Sequence, residues 1–512
     1  MPKRKQPSAI RVASEPRRVT RETAPAAPQP PLRERRWILA LAAFAAARVL
    51  SSAAVFPFLN NVDELAHYDL VLKYARGTLP HELAPYSQEL AEEYTPSPEF
   101  RNRPENFGGS FPDPPKTAAE IAAKLEWTKT WARQHVNKES AEPPLYYALA
   151  AAWLWIGRGL GIAGIHLLYW IRALDALPAA LLVCLGYATS RLVFPQSGFH
   201  RLGVPVLLAV YPQNTFYSIA PDMLSPLFFG LGFLGVLRFG AVVRRPAVAG
   251  ATGLALAAAA LVKLCNLPLA MVAGADLLWR ARGLGRERGA RAVLPALGLL
   301  LACAGLPVAA WLAWNRLTLG NWTGTAAKVA ELSWTAKSLS DWWPHPLFTP
   351  AGLYVFWSGL LETFWRGEVF WHEVQLGHRC MDVFYWSSSA LLPLVALFRL
   401  PPEREARAAL GLAAACWASG VVFMATLSLA FDFGESQYPS QAHPFFTSGR
   451  LISGALVPFL LLYMHGLDRT LAFASERTRW LALGGIACAV TVSELLLDLG
   501  PLASHYNVFH LA

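Results

Sequence analysis

Charge is what this chain has least of. Only 16% of its 512 residues are Asp, Glu, Lys or Arg, while 54% are apolar. That is too little charge to cover the surface of a soluble fold. The charges gather in a few blocks, and the apolar runs between them are about 17 to 25 residues long, the length that spans hydrocarbon as a helix. Helices are almost obligatory there, because backbone amides in lipid have no other partner. Cysteine is scarce as well, at six residues. Cys184, Cys265, Cys303, Cys416 and Cys488 fall in or at the ends of apolar runs, where a small buried thiol is ordinary, and Cys380 has no evident partner. No cysteine or histidine cluster has ligand spacing, so neither a disulfide nor a zinc site is expected. No glycine-rich phosphate loop stands out, which argues against a nucleotide-driven pump.

What is present starts with a basic tail. Residues 1–36 hold ten Lys/Arg against three Glu, a net +7 of the chain's +10, with too little apolar content to fold alone. Juxtamembrane Arg33, Arg35 and Arg36 are a positive-inside signature, so the charge points to a cytoplasmic N-terminus rather than to nucleic acid. The first apolar run, 37–58, contains Arg48 as its one charge. It is too long for a removed signal peptide, and no small-residue cleavage pattern follows it. Further runs lie at 170–192, 202–219, 223–243, 247–264, 267–279, 293–314, 383–398, 408–429, 451–464 and 480–497. The expectation is an all-α polytopic transmembrane bundle of about 11–12 spans. Arginine-rich connectors at 238–245, 280–291, 399–407 and 469–479 fall on alternate loops, as cytoplasmic loops should. One apolar stretch, 143–160, breaks this parity and is read as a helix lying on the outer surface. The alternative is a twelfth span.

Two long outer loops follow. Loop 59–142 carries fourteen Asp/Glu against nine Lys/Arg, net −5, and is expected to hold short surface helices, one of them placing Ile121, Leu125 and Trp131 near one face. Loop 317–380 is rich in tryptophan: Trp322, Trp334, Trp342, Trp343, Trp357, Trp365 and Trp371. Indoles anchor at the bilayer interface, and their flat faces also stack on sugar rings. Transmembrane helices resume over 381–512.

The densest chemistry opens the first outer loop, at Asn60-Asn61-Val62-Asp63-Glu64-Leu65-Ala66-His67-Tyr68. If the chain is helical there, His67 shares a face with Asp63 and Glu64 at spacings of four and three. That would make a compact acid, base or metal site; the plain alternative is Asp63 capping a helix with Glu64 in its first turn. Asp222 emerges on the same face before the next span, again with capping as the plain alternative. Lys263 ends a span, and His443 and Arg450 lie near the last outer loop; such cations snorkel to headgroups or receive a phosphate leaving group. Arg172 and Asp175 are close enough on one helix to pair as a structural ion pair.

An Asp-Glu pair with a following His after the first span, Glu142-Pro143-Pro144-Leu145-Tyr146-Tyr147 ending that loop, Arg172 in the next span and Asp222 after another together resemble the GT-C superfamily of membrane glycosyltransferases. A bacterial branch of predicted membrane proteins, with Asp-Glu-x-x-His and a late Gly-Arg-Tyr, is most similar. The resemblance covers roughly the first 270 residues and, in the last third, Gly449-Arg450 alone. Glu142 stands where relatives often carry His or Gln, and Leu451 replaces the tyrosine of Gly-Arg-Tyr.

The resemblance implies a GT-C-like module over 37–316 in a bacterial inner membrane. It further implies a transferase that takes a sugar from a polyprenyl-phosphate donor and passes it to a glycan, lipid or protein acceptor on the non-cytoplasmic side. Asp63, Glu64 and Asp222 are then the catalytic candidates, with Asp63 as base and an inverting displacement. His67, Tyr146, Lys263, His443 and Arg450 are candidates for substrate binding, with Arg450 or Lys263 at the departing phosphate. A divalent metal held by Asp63, Glu64 and Asp222 is an open alternative. A transporter or flippase of lipid-linked saccharides is the reading from another class, though it should carry an internal repeat and mid-membrane charges, and no repeat is seen. A non-catalytic membrane protein is the third.

Overall fold

The computed structural model describes residues 32–58, 61–80, 82–94, 117–243, 245–371, 374–436, 438–504 and 507–510. The basic tail lies outside these residues, apart from positions 32–36, which already belong to the first helix. The chain folds as an all-α polytopic bundle. Among the described residues, seven helical stretches are long and apolar enough to cross a membrane: Leu32–Val55, Ile165–Val193, Ala290–Thr318, Arg379–Phe398, Arg404–Ala430, Gly449–Thr470 and Glu476–Ala503. Gly198–Val210, Pro221–Leu237 and Pro246–Val262 are shorter apolar helices.

In chain order, α1 (Leu32–Val55) leads into the first outer segment, which holds α2 (Glu64–Ala75), α3 (Gln88–Tyr94) and α4 (Ala118–Gln134). A capping box starts α4, Thr117 and Glu120 each bonding the other's backbone amide. As the spacing predicted, Ile121, Leu125 and Trp131 are on its less exposed side, around buried Thr128 and Ala132. Helix α5 (Leu145–Gly159) is fifteen residues long, about 22 Å at 1.5 Å per residue and short of the ~30 Å hydrocarbon core. It packs on α2 and on α6 (Ile165–Arg172). Trp153 and Trp170 stack at 4.3 Å there, and each indole N–H donates to the other's backbone carbonyl.

The 3-10 turn Ala173–Asp175 joins α6 to α7 (Ala176–Val193), and α8 (Gly198–Val210) follows. The apolar run 202–219 does not continue as one helix. Pro212 has no amide to donate, and the chain beyond it folds into the 3-10 turns Asn214–Tyr217 and Pro221–Met223 before α9 (Leu224–Leu237). Next come α10 (Phe239–Val242), α11 (Pro246–Val262), α12 (Leu267–Arg288) and α13 (Ala290–Thr318).

The tryptophan-rich segment is more than a loop. It contains α14 (Thr325–Glu331) and α15 (Pro350–Arg366), the latter started by the Thr349 side chain and by Pro350 in its first turn. Leu360, Leu361, Phe364 and Trp365 are fully buried. Trp365 stacks on Tyr385 at 5.1 Å and donates to Ser389 at 2.8 Å, so it is a core residue. Trp322 and Trp343 remain well exposed. The chain ends with α16 (Arg379–Phe398), α17 (Arg404–Ala430), the 3-10 turn Gly449–Ala455, α18 (Leu456–Thr470) and α19 (Glu476–Ala503).

Helix α18 is the innermost element, buried over nearly its whole length by α8, α9, α16 and α17. Arg48, the one charge of the first apolar run, is explained by α19: Glu494 pairs with it at 2.5 Å, and the carbonyls of Ala209 and Tyr211 accept its other donors. A lone cation within a span is tolerated when it is paired in this way.

Candidate active site

Where α1 ends, Arg172 takes over its loose backbone. The guanidinium donates to the carbonyls of Ala53, Phe56 and Pro57, oxygens that a helix terminus leaves unsatisfied. Its remaining donors form a fork on Glu64, two bonds of 2.7 Å each, and Glu64 also accepts from the Ile219 amide at 3.0 Å. Both side chains are almost wholly buried. The pairing of Arg172 with Asp175 is therefore corrected: Glu64, 108 residues away, is the partner, and neither oxygen of buried Asp175 has a hydrogen bond. Asp175 sits in the 3-10 turn that follows Arg172, where the spacing of an α-helical pair no longer applies.

Directly before Glu64, Asp63 adopts a left-handed backbone, φ 62° and ψ 7°. Such a conformation is uncommon outside glycine, although Asp and Asn adopt it more readily than most residues, and it is a hallmark of strained functional positions. Asp63 is the N-cap of α2 by position but makes no side-chain capping bond. Its Oδ2 instead accepts from Arg450 Nη2 at 2.6 Å, with the carboxylate still 37% exposed.

Arg450 reaches this place because Gly449 lets the chain touch α15. A Cβ at Gly449 would lie 2.1 Å from the Phe364 amide nitrogen, so no larger residue fits without displacement. The Gly449 amide donates to Thr363 Oγ1 at 2.9 Å. Arg450 is buried and surrounded by carboxylates: Asp63 on Nη2, Asp222 at 3.7 Å from Nη1 and Glu368 at 3.6 Å from Nε. Asp222 is fully buried and binds Lys263 Nζ at 2.7 Å through Oδ1, while Oδ2 has no hydrogen bond and faces Arg450. It is not a capping residue.

Beside this cluster, buried His67 shares a 2.8 Å hydrogen bond between Nδ1 and the Tyr147 hydroxyl, and its Nε2 has no partner. Burial pushes its pKa down to about 4, against the pull of Glu139 and Asp63. Its hydrogen bonding is directed neither at Asp63 nor at Glu64. Tyr146 is buried against the Ala220 backbone. Glu139 and Glu142 share the ammonium of Lys328, which α14 supplies at 2.7 and 2.8 Å to Glu139 and 3.4 Å to Glu142. Burial and the adjacent Glu139 raise Glu142 to about 7, against the opposing pull of Lys328 and Lys263. Burial works to raise Glu139 as well, but Lys328 and His67 outweigh it and hold the group below the usual carboxylate range.

The expected residues thus fall into groups. Asp63, Asp222, Lys263 and Arg450 meet in one place, and His67 lies next to them. Glu64 is turned away into Arg172. His443 is exposed, with contacts to Ser440, Tyr438 and Phe445 rather than to the charged cluster. For a metal, Asp63, Glu64 and Asp222 do not converge, since Glu64 spends both oxygens on Arg172 and the other two face cations. Among the described residues no group of three or more His, Cys, Asp or Glu is arranged to hold an ion. Glu368 and Lys328 were not foreseen; both lie in the tryptophan-rich segment, where no motif marks them.

No family model matches the sequence, and no curated protein does. Among solved structures, the Archaeoglobus fulgidus oligosaccharyltransferase AglB in complex with an inhibitory peptide and a dolichol-phosphate is similar at 13% identity and a TM-score of 0.43, over 93% of this chain and 57% of that one. The apo form of the Archaeoglobus fulgidus enzyme gives 12% and 0.43, over 92% and 57%. Its complex with zinc and sulfate gives 12% and 0.39, over 91% and 53%. This likeness assigns no activity. The chain spans little more than half the length of these proteins, and the reading of the site rests on its own geometry.

Proposed function

We propose that the protein is a membrane glycosyltransferase that moves a sugar from a polyprenyl-phosphate donor to an acceptor hydroxyl on the non-cytoplasmic face of a bacterial inner membrane, with the N-terminus in the cytoplasm. One observation carries the reading: Asp63 and Asp222 both meet Arg450, with Lys263 on Asp222. These four residues come from four separate parts of the chain and gather where helices end. A lipid-tailed donor diffuses in the bilayer and presents its sugar-phosphate head at such a boundary.

In the proposed step the acceptor oxygen bonds to the anomeric carbon as the bond from that carbon to the phosphate oxygen breaks. The acceptor proton passes to Asp63, the most exposed carboxylate of the cluster, and the electron pair leaves with the lipid phosphate. Arg450, with its planar set of donors, and Lys263 stabilise the charge that builds on that phosphate. Displacement from the opposite side inverts the anomeric centre. Glu64 falls outside this step. Its fork on Arg172 fixes the turn that holds Asp63, and so it supports the base indirectly.

The test is mass spectrometry of surface glycans and polyprenyl-linked sugars in cells carrying the wild-type gene, no gene, or Asp63→Asn. Accumulation of one lipid-linked sugar and loss of one glycan in both deficient strains supports transfer. A wild-type glycan profile in the Asp63→Asn strain removes it. Lipid-linked sugar retained on the cytoplasmic leaflet would favour a flippase instead.

A further inference from the structure

Nothing in the sequence marks Glu368, and the transfer step above gives it no task, yet it sits in a closed circuit of polar contacts around Arg450. Asn61 Nδ2 donates to the carbonyl and side-chain oxygens of Asn214, at 3.0 and 3.3 Å. Asn214 Oδ1 in turn accepts from the Glu368 amide at 3.3 Å. Glu368 Oε2 accepts from Ser448 Oγ at 2.9 Å, and the same Ser448 oxygen accepts from Arg450 Nε at 3.3 Å. Arg450 Nη2 closes the circuit on Asp63, two residues from Asn61. The backbone is fixed at this point too. Gly367 has φ +83°, and a Cβ there would lie 2.0 Å from Asn214 Oδ1, so the chain enters Glu368 pressed against Asn214.

We propose that Glu368 is a positioning residue: with Ser448 it holds the Nε edge of Arg450, so that the Nη edge is the one that turns from Asp63 and Asp222 to a phosphate. The inference rests on the glycosyltransferase reading for the identity of that phosphate. A guanidinium is a rigid fork with two separate edges, and one edge can be anchored while the other works. An anchored fork meets the phosphate without first losing rotamer freedom, which is where preorganisation gains affinity. Glu368 and Ser448 are both buried, so their bonds are shielded from competing water.

Charge and tether make opposite predictions, and this separates the two. A carboxylate beside Arg450 repels phosphate; if that were its whole effect, both Glu368→Gln and Glu368→Ala would bind phosphate more tightly than wild type. As an anchor, it can be replaced by the isosteric amide, which still accepts from Ser448, but not by alanine.

The experiment uses the full chain in lipid nanodiscs, with citronellyl phosphate as a sugar-free probe, binding read by native mass spectrometry and folding by thermal unfolding. Glu368→Ala should bind about tenfold more weakly than Glu368→Gln, with Glu368→Gln at or above wild type and Glu368→Asp between them. Ser448→Ala, which cuts the same link without changing charge, should weaken binding relative to wild type and carries the test should Glu368→Ala not fold. Equal binding by Glu368→Ala and Glu368→Gln, or by Ser448→Ala and wild type, overturns the positioning role. A wild type that binds the probe no better than Arg450→Ala overturns the phosphate-donor reading itself, and this inference with it.

Discussion

Asp63 and Arg450 stand 387 residues apart in the chain, and their side chains meet at 2.6 Å. The pair joins the strained turn after α1 to the glycine-hinged turn before α18. It sets the carboxylate proposed as base against the guanidinium proposed to receive the departing phosphate.

Asp63→Asn isolates the charge from the backbone. Asparagine accepts a left-handed conformation at least as readily as aspartate, so the turn should persist. Sugar transfer should fall by about 10²–10⁴-fold, the usual worth of a general base, with the unfolding temperature within a few degrees of wild type. Transfer assays on reconstituted protein decide it, and activity within tenfold of wild type would end the assignment.

Glu64→Gln should behave differently. It strips the counter-charge from a guanidinium buried among the carbonyls at the end of α1. Breaking a buried pair on one side costs on the order of 3–5 kcal/mol. The expected outcome is a large loss of thermal stability in detergent, together with lost activity. A variant that is inactive but as stable as wild type would return Glu64 to the list of chemical participants.

Glu142 predicts a pH effect. Its folded pKa of about 7 lies above the ordinary carboxylate value of 4.5, so between those limits the folded chain holds a proton that the unfolded chain has lost. Stability contributed at this site therefore declines as pH rises from 4.5 to 7. His67, depressed to about 4, gives the opposite slope between 4 and its ordinary 6.5, but it does so equally in a Glu142→Gln variant. Glu139 and Lys328 also face Glu142, but with Glu139 held below the usual carboxylate range and Lys328 raised, both stay charged from pH 5 to pH 8 and add no slope there. Unfolding temperatures of Glu142→Gln minus wild type should hence grow more positive from pH 5 to pH 8. A difference that stays flat across that range contradicts the assignment.

Gly449→Ala should damage packing and chemistry together. The added methyl meets the α15 backbone near Phe364, so Arg450 must move away from Asp63. We expect a loss of about 1–3 kcal/mol, as in other overpacked sites, and activity reduced as far as in Arg450→Ala. Unfolding and transfer measured on the same preparation check both, and an active, stable variant would show that this close approach is dispensable.

How much of this was legible beforehand depends on the range of the interaction. The all-α polytopic bundle, α4 with its apolar face and the helical stretch after Asp63 are local patterns of composition and period, and they read correctly, whereas the apolar run 202–219 breaks at Pro212 instead of spanning as one helix. Asp63, Asp222, Lys263 and Arg450 could be named because each lies at a helix end beside a short motif. Glu368 and Lys328 could not, because their meaning comes only from partners more than a hundred residues away or in another loop. The same limit misdirected Arg172, whose near neighbour Asp175 looked like the natural partner. Trp365 was hidden among indoles of identical type, and only packing separates one that fills a core from one that meets solvent.

The Arg48–Glu494 contact carries a consequence for biosynthesis. Translation delivers Arg48 to the bilayer hundreds of residues before Glu494 exists. In the interval the Ala209 and Tyr211 carbonyls emerge first and can shelter the stranded cation. Final charge neutralisation must await α19, so a ribosome stalled before that late helix would leave a polytopic chain with an arginine whose counter-charge has yet to be made.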